Sequence, residues 1–295
     1  MPHSFYRLIR GSFQIAGFKP DGDSIRFAAS VEPFRDLYGA YKADFTKGSF
    51  QLRLEGIDAP ETHYGSDVQP MGDEARDHLV HLLGTGEVEF SGQRVVKGRN
   101  DQIPGAILTR SFDSHGRPIS YALVGEDVPS TGDGDAVRVD EALLAKTLNA
   151  RMVAAGFAYP LLYTSTPAPH RAVLCQLAEA ARRRAFGIWQ HDCSREFRLQ
   201  GRESIAGRHQ PERPPEEHPS LIYPKFFRRC IDYFRQTATG AASGRDFPDW
   251  LAASERENDT VVVKGMELRL SALFEQKNSR VRCQADVFDM VFVEK

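Results

Sequence analysis

Arg53-Leu54-Glu55-Gly56-Ile57-Asp58-Ala59-Pro60-Glu61-Thr62 is the stretch on which the reading of this chain turns. It lies at the end of an apolar, strand-forming run that starts at Phe50, and it brings a guanidinium, a rigid proline and several carboxylates close together. In a regular strand Arg53 and Asp58 have opposite parity and face opposite sides. For both to serve one site the alternation must break between them. Gly56 is the residue at which a bend or bulge is easiest. The sequence therefore predicts irregular strand geometry at Gly56 or Ile57.

Working outward, apolar runs at 8–15 and 24–28 read as strands on either side of a turn at Pro20-Asp21-Gly22-Asp23. Residues 29–49 are polar and aromatic, and read as a loop or hairpin insertion. Residues 72–84 form a helix with Ala75, Leu79, Leu82 and Leu83 on one face, and strand returns at 87–90. Runs at 107–112 and 119–124 form a hairpin whose turn holds His115, Gly116 and Arg117. Residues 126–137, acidic and glycine-rich, read as a surface loop. Helices follow at 142–155, interrupted near Thr147, and at 171–186. Four prolines at 211, 214, 215 and 219 mark 199–220 as a linker. Beyond it, Phe226, Phe227, Cys230, Ile231 and Phe234 share a helix face, and alternating residues at 266–274 and 281–287 read as strands. The domain reading is 1–198, a 199–220 linker, and a small α+β domain at 221–295.

The totals narrow the class. With 38 basic and 40 acidic side chains the net charge is −2, so a uniformly basic, nucleic-acid-coating surface is excluded and any such contact is local. Cys175, Cys193, Cys230 and Cys283 are widely spaced without a CxxC pair, which argues against zinc and for reduced thiols in the cytoplasm. The first residues lack the apolar core of a signal peptide, and no run is long enough for a membrane span.

The charged groups around the opening stretch suit one chemistry. Asp23, Asp58 and Glu61 are hard oxygen donors or bases, which favour Ca²⁺ or Mg²⁺ over zinc. Arg53 and Arg117 have the planar fork that grips phosphate. Asp-Gly-Asp is also an ordinary turn. A second copy, Asp133-Gly134-Asp135, lacks the arginine-and-carboxylate segment and reads as a surface turn.

Asp21-Gly22-Asp23-Ser24, the 53–62 stretch, Gly72-x-Glu74-Ala75 and Asp113-x-x-Gly116-Arg117 follow in the order of the staphylococcal-nuclease-like (thermonuclease) family. The run from Leu148 to Tyr159 and the helix closing on Phe186-Gly187-Ile188-Trp189 are similar to it as well. The resemblance covers residues 5 to about 195. It implies an α+β fold, a five-stranded OB-fold barrel with packed helices. It also implies a Ca²⁺-dependent nuclease, with Mg²⁺ or Mn²⁺ as lesser candidates. Such an enzyme cuts DNA and RNA to 5′-hydroxyl and 3′-phosphate ends. Carried over, Asp23, Asp58 and the Ala59 carbonyl ligate calcium, Glu61 is the base, and Arg53 and Arg117 hold the scissile phosphate. His115 stands where the family usually has tyrosine. His115, Tyr159 and Tyr163 are the further substrate-binding candidates. The competing reading is a non-cleaving binding module for nucleic acid or protein, with the C-terminal domain serving self-association or a protein partner.

Overall fold

The protein is described here from a computed structural model, which covers residues 5–294 apart from 38, 43, 44, 46, 47, 99, 211, 213, 215, 216 and 243. The chain begins with β1 (Phe5–Gln14), β2 (Arg26–Ala28), β3 (Ser49–Gln51), β4 (Arg53–Leu54) and β5 (Ile57–Asp58). Helix α1 (Gly72–Leu82), the hairpin β6 (Val88–Ser91) and β7 (Arg94–Gly98), and strands β8 (Gln102–Phe112), β9 (Pro118–Val124) and β10 (Ala136–Arg138) follow. Next come α2 (Glu141–Lys146), α3 (Leu148–Ala154), β11 (Tyr159–Pro160), β12 (Leu162–Tyr163), α4 (Ala168–Arg183) and β13 (Glu196–Arg198). The last part holds α5 (Pro224–Ala238), α6 (Phe247–Ala253), β14 (Thr260–Val263), β15 (Met266–Arg269), β16 (Phe274–Lys277), β17 (Arg280–Cys283) and β18 (Met290–Phe292).

The architecture is mixed α+β around one curled sheet, in the order β3-β2-β1-β8-β9-β4, with β10 added to β1. β1 and β8 pair antiparallel from Arg7↔Thr109 to Gln14↔Gln102 and form its spine. Alternation along β1, β8 and β9 sends Leu8, Leu108, Tyr121 and Leu123 to one buried cluster and Ile9, Phe13, Ile107 and Ala122 to another, so both faces of the sheet are covered. The two ends of the strand order, β3 and β4, are separated in sequence only by Leu52. Backbone donors of Leu52 and Leu54 continue onto the carbonyls of Ile25 (2.8 Å) and Asp23 (2.9 Å).

The helix expected over 142–155 is two helices. Thr147 takes extended backbone between them, and its hydroxyl accepts from Ala150 N (3.2 Å), so it caps the second helix. In the insertion at 29–49, Phe34 is buried against Phe45, Phe50 and Phe112 at ring separations of 5.2, 5.0 and 5.8 Å. Residues 38, 43, 44, 46 and 47 of that insertion lie outside the described residues.

The C-terminal part shares its sheets with what precedes it. β12 pairs with β18 in a four-stranded sheet, and β13 pairs with β17 in a three-stranded one. In the proline-rich stretch at 199–220, Ile205 is buried, and Gly207 N donates to Val68 O (2.9 Å). Positions 211, 213, 215 and 216 of that stretch fall outside the described residues. The apolar face of α5 turns inward. Phe226, Phe227, Cys230 and Ile231 are fully buried, so the chain itself covers the face that could have met a partner. At about 1.5–3 kcal/mol for each large buried apolar side chain, that face alone fastens the helix firmly. The single strand expected over 266–274 is instead β15, a tight turn, and β16. The turn buries Leu270 and Leu273 and is held by Ser271 N donating to Asn258 Oδ1 (2.9 Å). All four cysteines are free thiols. Among the described residues, no helix is long and apolar enough to cross a membrane.

Candidate active site

The break at Gly56 is present, and it builds the site. β4 ends at Leu54, Gly56 takes φ +80°, and β5 starts at Ile57. Glycine reaches positive φ with little strain, and a side chain here would lie 2.5 Å from Leu174 Cδ1. Arg53 pairs with Ile119 of β9, whereas Asp58 pairs with Tyr159 of β11, so the two halves of the segment belong to different sheets. Asn149 on α3 pins the crossing. Its Nδ2 donates to the carbonyls of Glu55 (2.9 Å) and Ser120 (3.0 Å), and its Oδ1 accepts from Ala122 N (3.0 Å).

The Asp21–Asp23 turn closes on this segment. Asp21 N donates to Ser24 O (2.9 Å), and the Asp21 carboxylate accepts from Gly22 N (2.8 Å) and Thr62 N (3.4 Å). Gly22 is needed for the close approach, because a Cβ there would sit 2.5 Å from Ala59 Cβ. Asp21, Asp23, Arg53, Asp58, Glu61 and Arg117 thus line one cleft of about 1390 Å³. Ala59 is buried below the turn, outside the lining.

Arg117 is aimed by its own turn. Asp113 accepts from Arg117 Nε (2.7 Å), Arg117 N (2.9 Å) and His115 N (2.9 Å). The aspartate is held below the usual carboxylate range. Burial opposes that shift, and the Arg117 backbone bond, the Arg117 charge and the remaining bonds outweigh it. His115 lines the cleft rim and is exposed. Tyr163 lines the cleft too, with Arg53 Cζ 5.7 Å from its ring centre. Burial alone would raise the Tyr163 phenol, but Lys225 and Arg53 bring it below its ordinary value. Tyr159 offers no face to a ligand. It is 0% exposed, packs edge-on against Trp189 and Tyr223, and donates its hydroxyl to Asp192 Oδ1 (2.9 Å).

The acids crowd one another. Burial, and then Asp58 and Glu61, push Asp23 up to about 7. Burial, and then Asp23 and Glu61, raise Asp21 well above its ordinary value. Glu61 is raised mainly by burial, against the pull of Arg228. The Asp23 carboxylate has no hydrogen bond or ion pair among the described residues. Asp58, 2% exposed, does have a partner. Arg228 of α5 donates from Nη1 to Asp58 Oδ1 (3.1 Å) and from Nη2 to Asp58 Oδ2 (2.9 Å), and Nη1 also bonds Glu61.

This arrangement bears on a metal. Excess carboxylate around an unpartnered Asp23 is the donor chemistry of a hard divalent cation, and Asp21, Asp23 and Asp58 would hold it. Among the described residues, however, no three His, Cys, Asp or Glu side chains are already gathered as a cage. Asp58 is instead engaged by Arg228.

Arg228 belongs to a wall that the motif reading did not include. Lys225, Arg228, Arg229, Asp232 and Arg235 of α5 all line the cleft. Tyr64 donates its hydroxyl to Asp232 Oδ2 (2.7 Å), and Arg235 donates to Tyr64 O (2.6 Å), so the helix is tied to the loop after Glu61. Arg229 pairs with Glu257 and with Asp259 (2.8 Å), and Lys225 with Asp259 (3.4 Å). The signal that could have revealed this wall is the charged stripe at 225, 228, 232 and 235, spaced by three and four along the helix.

Comparison with known proteins agrees with the first wall. Residues 51–191 match the family described as staphylococcal nuclease homologue. That span contains Arg53, Asp58, Glu61 and Arg117 and leaves out Asp23 and Arg228. A stretch of 43 residues is 42% identical to "Probable endonuclease lcl3" of Pyrenophora tritici-repentis (strain Pt-1C-BFP), covering 14% of this chain and 16% of that protein.

Proposed function

We propose that this protein, whose residues 51–191 match the staphylococcal nuclease homologue family, hydrolyses phosphodiester bonds in DNA or RNA. The observation that carries the reading is the convergence of Asp23, Arg53, Asp58, Glu61 and Arg117 on one cleft. The strand order that begins and ends on the continuous 49–54 stretch supports the five-stranded barrel expected from the resemblance.

In this reading Arg53 and Arg117 grip the non-bridging oxygens of the scissile phosphate from two sides. Their charge stays in place as the phosphate gains charge in the transition state, the condition under which such contacts accelerate a reaction most. Glu61 takes a proton from the attacking water as its oxygen bonds to phosphorus. The bond from phosphorus to the 5′ oxygen breaks, and that oxygen takes a proton from solvent, leaving a 5′-hydroxyl and a 3′-phosphate. A bound Ca²⁺ at Asp23 and Asp58 would neutralise charge on the phosphate. Single strands and frayed ends suit a cleft walled on two sides. In this reading Tyr163 and His115, which line the cleft, meet a flanking nucleotide.

A non-cleaving nucleic-acid binder is the second reading, and the observation that favours it is the guanidinium of Arg228 on both Asp58 and Glu61. The deciding experiment incubates the protein with labelled single-stranded DNA and RNA, with Ca²⁺ or chelator, beside Glu61→Gln and Arg53→Ala. Metal-dependent cleavage lost in both variants supports the nuclease. Cleavage that persists in both, or a wild type inert with Ca²⁺, Mg²⁺ and Mn²⁺, overturns it.

A further inference from the structure

Arg228 is the place where the C-terminal region enters the chemistry. Its guanidinium makes a fork on Asp58 and a third bond to Glu61, the carboxylates assigned above to the cation and the water. Two of its five N–H donors are left over for another acceptor. The backbone beneath it is fixed. Phe226, Phe227, Cys230 and Ile231 are fully buried, and Arg229 and Asp232 on either side are paired to Glu257, Asp259 and Tyr64. What can move is the side chain, and it opens on the cleft that also holds Arg53 and Arg117.

A guanidinium on a carboxylate and a guanidinium on a phosphate use the same planar fork. A phosphodiester entering the cleft therefore competes with Asp58 and Glu61 for Arg228. A divalent cation competes with Arg228 for Asp58. Phosphate and cation each help the other by drawing the ion pair apart, which is linkage between two ligands through one residue.

Resting on the nuclease reading of this cleft, we propose that Arg228 is a third phosphate-binding residue of the centre. It is held on Asp58 and Glu61 in the free protein and is transferred to the substrate phosphate when nucleic acid binds. The C-terminal region thereby supplies part of the substrate site, and cation binding at Asp58 is coupled to substrate binding.

The test is binding, read by calorimetry on the full chain, with wild type, Arg228→Gln and Arg228→Lys. Ca²⁺ is titrated into each protein without nucleotide. A short phosphorothioate single-stranded oligonucleotide is titrated into each in the presence of chelator. In Arg228→Gln, Ca²⁺ is expected to bind about tenfold tighter and the oligonucleotide about tenfold weaker. Arg228→Lys, which keeps the charge and loses the fork, is expected to fall between on both. Circular dichroism and melting confirm that each variant is folded. A purely structural ion pair would weaken both ligands or neither, and either result overturns the proposal. Opposite shifts in a protein that cleaves nothing would leave the Arg228 assignment standing and sink the nuclease reading. Cleavage with unshifted binding would do the reverse.

Discussion

The two walls of the cleft carry similar numbers of charges and use them differently. On the sheet wall the acids outnumber their partners. Asp23 has none among the described residues, and burial beside Asp58 and Glu61 pushes it up to about 7. On the helix wall the cations are largely spent on cohesion, with Arg229 on Glu257 and Asp259, and Arg235 on Tyr64, Asp67 and Asp232. Charge that is already paired holds a structure together. Charge left crowded and unpaired is charge kept for a ligand. Arg228 crosses from one wall to the other.

The sharpest way to break this contrast is to remove one group from the sheet wall. Glu61→Gln is expected to lower kcat by about 10²–10⁴ and leave the fold intact. Arg53→Ala is expected to lower it by roughly 10²–10³. Single-turnover cleavage beside a melting curve checks both. A variant that melts normally and still cleaves at the wild-type rate would move the chemistry elsewhere. The helix wall should respond the other way. Arg229→Ala removes the cation shared by Glu257 and Asp259 and leaves Lys225 on Asp259 and Arg256 on Glu257, which should cost about 2 kcal/mol in denaturant unfolding. Below its melting transition the variant should still cleave. Full stability with lost cleavage would reverse the roles assigned to the two walls.

Glu55 tests whether burial alone, without a ligand role, leaves the same kind of strained acid. It is 5% exposed, accepts from Tyr6 OH (3.1 Å) and Arg110 Nη2 (3.4 Å), and its Oε2 has no hydrogen-bond partner among the described residues. Burial raises it from 4.5 to about 7 against the pull of Arg110 and Tyr6. Below 4.5 it is protonated in both states and contributes nothing to the pH dependence. Between 4.5 and about 7 the unfolded chain releases a proton that the folded one keeps, so stability falls as pH rises through that window. At about 1.4 kcal/mol per pH unit, the loss reaches about 3 kcal/mol. Glu55→Gln cannot ionise. Unfolding at pH 4 and pH 7.5 should show wild type losing that much relative to the variant. Parallel curves would mean that Arg110 keeps Glu55 ionised in the fold.

What the sequence made legible follows the same division. The sheet wall is a local object. Arg53, Gly56 and Asp58 lie within six residues, and strand parity alone demanded the break at Gly56. Thr147 was legible for a similar reason, since a capping side chain acts within three residues of itself. The partnership of Arg228 with Asp58 spans 170 positions, and no periodicity reports a distance of that kind. The apolar spacing of α5 gave its inward face correctly. Which acids its charged stripe would meet depended on the pairing of β12 with β18 and of β13 with β17. Tyr159, a substrate-binding candidate in the sequence, is buried in the fold, because an aromatic side chain has the same composition signal whether it meets a base or, as here, Trp189 and Tyr223.

The smallest expected effect separates two copies of one tripeptide. In Asp21-Gly22-Asp23 the first carboxylate anchors the turn and the second is left free in the cleft. In Asp133-Gly134-Asp135 both are consumed, Asp133 Oδ1 by Arg10 N (2.8 Å) and Asp135 Oδ2 by Gly132 N (2.8 Å). Gly134 N and Asp135 O bond the backbone of Leu8 at 2.8 and 2.9 Å. The second copy is therefore an edge fastening for β1. Asp133→Ala removes one exposed charge-assisted bond and should cost about 1 kcal/mol of stability with cleavage unchanged. Asp23→Ala should do the opposite, abolishing cleavage while relieving the repulsion among Asp21, Asp58 and Glu61, so that its melting temperature holds or rises. Equal loss of cleavage in both variants would show that the tripeptide acts through something other than the free carboxylate of Asp23, and the distinction between spent and unspent charge would fall with it.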